Sequence, residues 1–277
     1  MKNIIFTAIL LIAVEKMIGQ ELYIFSEPAS NMPAKSLGLK MTAMYGKGVH
    51  SNRTLQRYMP ELMVGVNKNW MVHATASFSD MHQSKFIFES ARLYAKWRFL
   101  SMDDLHKHFR LAAFGAVTYS ENHLDHNEIN LMMGDQSGVQ AGLIATQLWH
   151  KLAVSGTVSL NEVINEERKT DINIHTFSSV NYSLSAGYLL FPFEYTDYKQ
   201  TNLNLYVELL GSRNLNFEPD KYYVDLAPAV QLIFNSNAKL NLGYRFQLSG
   251  DIYRLMKRSF LISYDYTFLN GLRKKNK

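Results

Sequence analysis

The chain has no cysteine and only six prolines among 277 residues. Without thiols there is no disulfide, no thiolate metal site and no lipid attached to an N-terminal cysteine. Beyond the first twenty residues no stretch approaches 18 uninterrupted apolar residues, which excludes insertion into a membrane as helices. G-x-S-x-G, H-E-x-x-H and glycine-rich phosphate loops are also missing. Ser120 with His123, and Ser77 with His73, supply the residue types of a nucleophile and base without a recognisable constellation. An enzyme is therefore not expected, the remaining enzymatic reading being a lipid-modifying barrel, and no cofactor is implied. Basic residues are not interleaved with aromatics in a nucleic-acid motif, so no nucleic-acid partner is expected either.

What is present begins with an export signal. Lys2 gives a short positive start, Ile4 to Val14 an apolar run, and Gly19 a small residue at a cleavage point. Residues 1–19 are read as a signal peptide, 20–33 as an N-terminal periplasmic segment, 34–269 as a barrel and 270–277 as a basic tail. Loss of residues 1–19 removes Lys2, Lys16 and Glu15, leaving 27 basic minus 23 acidic residues, a formal charge of +4. Much of that sits in Arg273, Lys274, Lys275 and Lys277, a solvated terminus.

The dominant signal is a period of two. Near the C-terminus Phe260, Ile262, Tyr264, Tyr266 and Phe268 alternate with mostly small or polar residues, so one face meets an apolar medium and the other a polar one. Twelve segments alternate in this way. The fourth places Ile87, Ala91, Leu93, Ala95, Trp97 and Phe99 on one face and Arg92, Tyr94, Lys96 and Arg98 on the other. A cation facing hydrocarbon costs about 2–4 kcal/mol at the bilayer midplane, so the second face looks into a lumen. Pro60, in the second segment, cannot donate to a ladder and predicts a bulge or local break. Segments of about nine to eleven residues suit tilted crossing strands. The expected fold is all-β, a transmembrane antiparallel up-and-down barrel of about twelve strands. Residues 67–69, 148–151 and 235–238 read as short turns, whereas 46–56, 120–137, 161–172, 212–220 and 249–257 read as long polar loops. Residues 100–107 and 191–200 are overlong for turns, which leaves ten or fourteen strands compatible.

Six charged positions fall on the polar faces. Glu208, Asp225, Arg245 and Asp265 lie on the last four strands and, with Glu61 and Arg92, could form a constriction that selects solutes by charge. They could equally be paired and brace a narrow interior. His123, Asp125, His126 and Glu128 gather imidazoles and carboxylates suited to a divalent metal, in a spacing that matches no closed structural site and also describes a solvated loop. Met59, Met63, Met71, Met132 and Met133 would suit a soft ion or simply fill apolar gaps.

The export signal, the repeated alternation and the closing Tyr264-Asp265-Tyr266-Thr267-Phe268 together resemble bacterial outer-membrane β-barrels. More narrowly, Met59-Pro60-Glu61-Leu62-Met63, residues 106–115 from His106 to Gly115, and Leu242-Gly243-Tyr244-Arg245-Phe246-Gln247-Leu248 resemble uncharacterised Bacteroidetes barrel proteins often labelled as transporters. The resemblance implies a place in the outer membrane of a Gram-negative bacterium, contact with its lipid, and recognition of the last strand by barrel-assembly machinery, although nine residues follow Phe268. It brings no substrate or catalytic residue. The expected function is a passive channel or transporter for small solutes with a narrow polar or charged lumen. The alternative is a non-conducting structural or adhesive barrel whose outer loops bind a partner, a divalent metal or a soft metal ion.

Overall fold

A computed structural model describes residues 23–49, 51, 53–122, 127–164, 177–193, 199–215 and 221–272. Residues 1–19, expected as a signal peptide, and most of the expected basic tail lie outside the described residues. Twelve strands follow one another along the chain: β1 Ser36–Gly48, β2 Thr54–Gly65, β3 Trp70–Ser79, β4 Ile87–Asp103, β5 Lys107–Ser120, β6 Gly138–Trp149, β7 Leu152–Val163, β8 Ser178–Phe191, β9 Asn202–Asn214, β10 Tyr222–Phe234, β11 Ala238–Gly250 and β12 Met256–Phe268. Each pairs antiparallel with its sequence neighbours, and β1 pairs with β12, closing the ring.

The period of two creates the two faces. Along β12, Phe260, Tyr264 and Phe268 are exposed while Ser259, Leu261, Ser263 and Asp265 are buried. The outer face carries Leu93, Leu143, Leu184 and Val207, each more than half exposed, the apolar band expected of a membrane barrel. Toward the end holding the short turns, Trp70 stacks on Trp97 at 5.9 Å, and Trp97 meets Phe99 at 5.5 Å. These rings begin an aromatic girdle.

Departures from regular pairing have local causes. Beside Pro60 the β2–β3 pairing runs through Tyr58↔Phe78 and resumes at Glu61↔Thr75 in unchanged register, so the proline interrupts the ladder without a bulge. Near Pro228 the β10–β11 pairing is likewise interrupted between Leu226↔Phe246 and Ala229↔Gly243. In β4 an extra residue, Glu89, separates Ser90↔Ser77 from Phe88↔Phe78. This bulge reverses the alternation before it. Phe88 then joins Phe78 on the outside at 5.6 Å, while Ile87, expected on the outer face, pairs with buried Ser79. Strand β4 also runs on to Asp103, with Phe99 as a second extra residue, so that most of residues 100–107 is strand rather than turn.

The turns between β2 and β3, β4 and β5, β6 and β7, and β10 and β11 are short and share one end with the start of β1 and the end of β12, called here the turn end. Its opposite, the loop end, holds among the described residues 49, 51, 53, 80–86, 121–122, 127–137, 164, 177, 215, 221 and 251–255. Leu93 on the outer band provides a stability check: Leu93→Arg is expected to cost about 2–4 kcal/mol in lipid vesicles, read from denaturant unfolding.

Candidate functional site

The lumen is occupied from both ends. Residues 23–33, within the segment 20–33 expected as N-terminal and periplasmic, lie in the lumen, where their backbone groups find inward-facing partners. On one wall the buried Glu208 carboxylate accepts hydrogen bonds from Ile24 N (3.0 Å), Phe25 N (2.9 Å), Ser26 Oγ (2.6 Å) and Ser185 Oγ (3.1 Å). On the facing wall Glu27 accepts from the Tyr94 hydroxyl and Lys96 Nζ, both at 2.9 Å, with His73 Nδ1 at 3.5 Å. Burial opposes the charged Glu27 carboxylate, but Lys96 and His73 outweigh it and hold its carboxyl far below the usual carboxylate range. Lys96 also donates to Pro28 O (2.8 Å), Thr146 Oγ1 accepts from Ala29 N (2.8 Å), and Arg110 donates to Ser30 Oγ (2.7 Å). Apolar contacts add to these: Phe25 packs among Leu210, Ala227 and Leu261, and Tyr23 meets the Tyr206 ring edge-on at 5.6 Å. The segment thus crosses the lumen from β9 to β4.

At the loop end, residues 127–137 fold inward with residues 251–255. Buried Arg57 donates to Glu89 Oε2 (2.9 Å) and Asp135 Oδ1 (2.6 Å), tying the inward loop to β2 and β4. Arg254, from the β11–β12 loop, meets Glu128 (3.0 Å) and Asp225 (2.8 Å), and Arg245 meets Asp225 at 2.6 Å. Both guanidinium groups lie over the Tyr223 ring, at 3.9 Å for Arg254 and 5.5 Å for Arg245. Gly134 lets the loop pass close to the wall. Its φ is +86°, and a Cβ there would collide with Ser90 Oγ. Thr118 Oγ1 donates to Leu131 O (3.0 Å) and Ser120 Oγ to Gly134 O (2.8 Å), so wall hydroxyls satisfy the loop carbonyls.

All six charged candidates face the lumen, in separate groups rather than one ring. Asp225 and Arg245 belong to the Arg254–Glu128 cluster. Asp265 lies beside Lys239 (3.5 Å) and Asn241 (3.3 Å). Glu208 holds the N-terminal segment, and Glu61 accepts from Thr75 (2.9 Å) beside His73 (3.3 Å). Arg92 donates to Gln140 Oε1 (3.0 Å) and lies 5.0 Å from the Tyr94 ring centroid. Of the four metal candidates, Glu128 is committed to Arg254, and His123, Asp125 and His126 lie outside the described residues. The described residues hold no group of three or more His, Asp or Glu placed to bind a metal. Met59 and Met133 pack with Met44 and Met81 at the loop end; Met63 and Met71 pack with Met32 at the turn end.

Several residues central to this interior escape sequence reasoning. Glu27, Asp135 and Arg254 sit in connections with no periodicity, and Glu89 is hidden by the bulge that turns it inward. One signal was available: Arg57 and Lys96 lie on polar faces, and buried cations demand carboxylates from somewhere. Between the two inserted segments remains a chamber of about 120 Å³, bounded by Ser26 and Glu27 on one side and Asn130 and Met132 on the other, with Arg92 and Thr157 in its wall.

Comparison places this architecture among known barrels. No protein-family model matches the chain, and no curated protein matches it in sequence. Among solved structures it is similar to the COG4313 outer membrane channel from Pseudomonas putida F1, with a TM-score of 0.61 and 13% identity over 89% of this chain and 100% of that one. It is also similar to the KdgM porin, with a TM-score of 0.52 and 7% identity over 83% of this chain and 99% of that one. NanC porin gives a TM-score of 0.50 at 9% identity, covering 83% and 98%. The shared feature is the fold.

Two outcomes test the N-terminal insertion. Because the chain has no native cysteine, Ala29→Cys gives a single thiol at a fully buried position. Its modification by a soluble thiol reagent is expected to be slow, and Glu208→Ala should accelerate it at least tenfold, since hydrogen bonds to a charged acceptor are worth about 1.5–3 kcal/mol each. The pH dependence follows from the depressed Glu27 carboxyl. The charge contributes fully above the ordinary glutamate value of about 4.3, and that contribution is lost progressively as pH falls from there through the lower folded value. Docking, followed by a spin label at position 29, should therefore be independent of pH above the ordinary value and weaken steadily below it. Loosening already well above the ordinary glutamate value would contradict the Glu27–Lys96 assignment.

Proposed function

We propose that this chain is an outer-membrane β-barrel that passes small solutes passively through a narrow, polar lumen. The observation that carries the reading is the combination of a closed twelve-strand ring, an apolar outer band and a charged interior reduced by two inserted segments to a chamber of about 120 Å³. Twelve strands lie between eight-strand barrels, filled by their own side chains, and sixteen-strand porins with an open channel. The likeness in fold to outer-membrane channel barrels supports the same reading. In this orientation the short turns, the start of β1 and the end of β12 face the periplasm and the long loops face outward. The β12 aromatics, ending at Phe268 paired with Leu37, would present the terminal strand to assembly machinery.

Passage requires solute to move around or displace residues 23–34 on one side and 127–137 on the other. The N-terminal insertion borders the chamber through Ser26 and Glu27 and is the larger obstruction at the turn end. Planar-bilayer recording tests this directly. The intact barrel should give small discrete steps, and deletion of residues 23–34 should enlarge them several-fold. If both proteins stay silent while folded, the barrel is a non-conducting structural one.

A further inference from the structure

Among the described residues, most deeply placed inward-facing cations are matched to carboxylates, and Arg92 departs from that pattern. Arg57, Lys96, Arg245 and Arg254 each have a carboxylate oxygen within 3.0 Å. Arg92, in the middle of β4, makes no ion pair among the described residues. Its single hydrogen bond goes to the neutral Gln140 side chain, and its Nε is buried without a partner. The two nearest carboxylates are engaged elsewhere: Glu27 with Lys96 and Tyr94, and Glu61 with Thr75. A guanidinium removed from bulk water without a carboxylate at hydrogen-bond distance is costly, and a bound anion would supply that contact.

Arg92 lines the chamber between the inserted segments, and so does Thr157, whose hydroxyl is also buried and unpartnered. Two unsatisfied groups, a cation and a hydroxyl, therefore border one small space. Phe25, Tyr94 and Phe114 supply apolar surface around it, and Asn130, Asn181 and Ser183 supply neutral polar groups. The volume sets an upper size. A cavity of about 150 Å³ accommodates benzene, so 120 Å³ holds an occupant somewhat smaller than benzene.

We propose that this chamber is a binding site for a small organic carboxylate, whose oxygens take the free N–H groups of Arg92 and the Thr157 hydroxyl while its apolar body rests against Tyr94 and Phe114. Carboxylate geometry matches the planar guanidinium fork, which inorganic halide does not. The Tyr94 ring backs Arg92 from within the wall, and its own hydroxyl is committed to Glu27, so it does not compete for the ligand. The site refines the channel reading by naming the solute class, yet its occupancy can be measured without any current.

Equilibrium binding to the full-length barrel in detergent, by calorimetry or ligand-observed NMR, tests the proposal with propionate, its neutral isostere propionamide, the cation propylamine, and chloride. Propionate should bind at least tenfold more tightly than propionamide, and propylamine should not bind. Arg92→Gln should abolish the preference for propionate over propionamide, Arg92→Lys should retain part of it, and Thr157→Val should weaken propionate by a smaller factor. Unboiled and boiled gel mobility identifies variants that failed to fold, and Thr157→Val then carries the test alone. Equal binding of propionate and propionamide, competition by chloride at equal concentration, or propionate binding unchanged in folded Arg92→Gln would each overturn the site. A barrel that binds propionate through Arg92 but gives no conductance would remove the channel reading and leave the site standing. Discrete steps without propionate binding would do the reverse.

Discussion

No backbone N–H or C=O can face hydrocarbon unpaired, and that constraint governs this molecule. It forces β1 onto β12, because an open ring would leave two strand edges unsatisfied. Closure then divides every strand into an outer and an inner row. Once the outer row is apolar, all charge needed for solubility, recognition or bracing is driven inward. The lumen consequently concentrates Arg57, Lys96, Arg245, Arg254, Glu89, Glu208, Asp225 and Asp265.

Confinement of charge explains why the lumen is not empty. Buried carboxylates and cations need partners at hydrogen-bond distance. Some are found across neighbouring strands, as in Arg245 with Asp225. Others come from chain segments drawn inside. Glu208 is satisfied chiefly by the N-terminal segment, through two backbone N–H groups and the Ser26 hydroxyl, Lys96 by Glu27 and Pro28, and Arg57 in part by Asp135 of the inward loop. The insertions complete the electrostatics of the wall. The wall in turn fixes where the insertions lie, and what they leave between them is the chamber beside Arg92.

The fold was largely legible in the sequence because side-chain direction in a strand depends only on parity. Phe260 to Phe268, or Leu152 to Leu160, reveal their outer face with no knowledge of the partner strand. Pro60 was legible in the same local way, as an interrupted ladder. Ile87 was not: the bulge at Glu89 is a property of how β4 meets β3, and parity counted along one strand cannot register it. The strand length at residues 100–107 was missed for a related reason, since Phe99 is a second extra residue in β4 and Asp103 pairs with His108 across a tight turn. The inward direction of all six charged candidates was legible; their grouping was not. Asp225 and Arg245 meet because adjacent strands bring them together, but Glu128 and Arg254 arrive from loops, and Glu208 is met by residues 182 to 184 positions away. Backbone donors leave no mark in an amino-acid sequence.

The chain order of the N-terminal insertion bears on how the cylinder is put together. Its anchors, Lys96, Thr146, Ser185 and Glu208, reside in β4, β6, β8 and β9, all of which precede the final strand. The seam, by contrast, cannot zip until β12 is available. A concave, still-unrolled sheet therefore already displays these hydrogen-bonding anchors for the N-terminal segment, directly upstream of the strand awaiting its last neighbour. The segment can be laid in place before the walls meet, without being threaded through a finished ring.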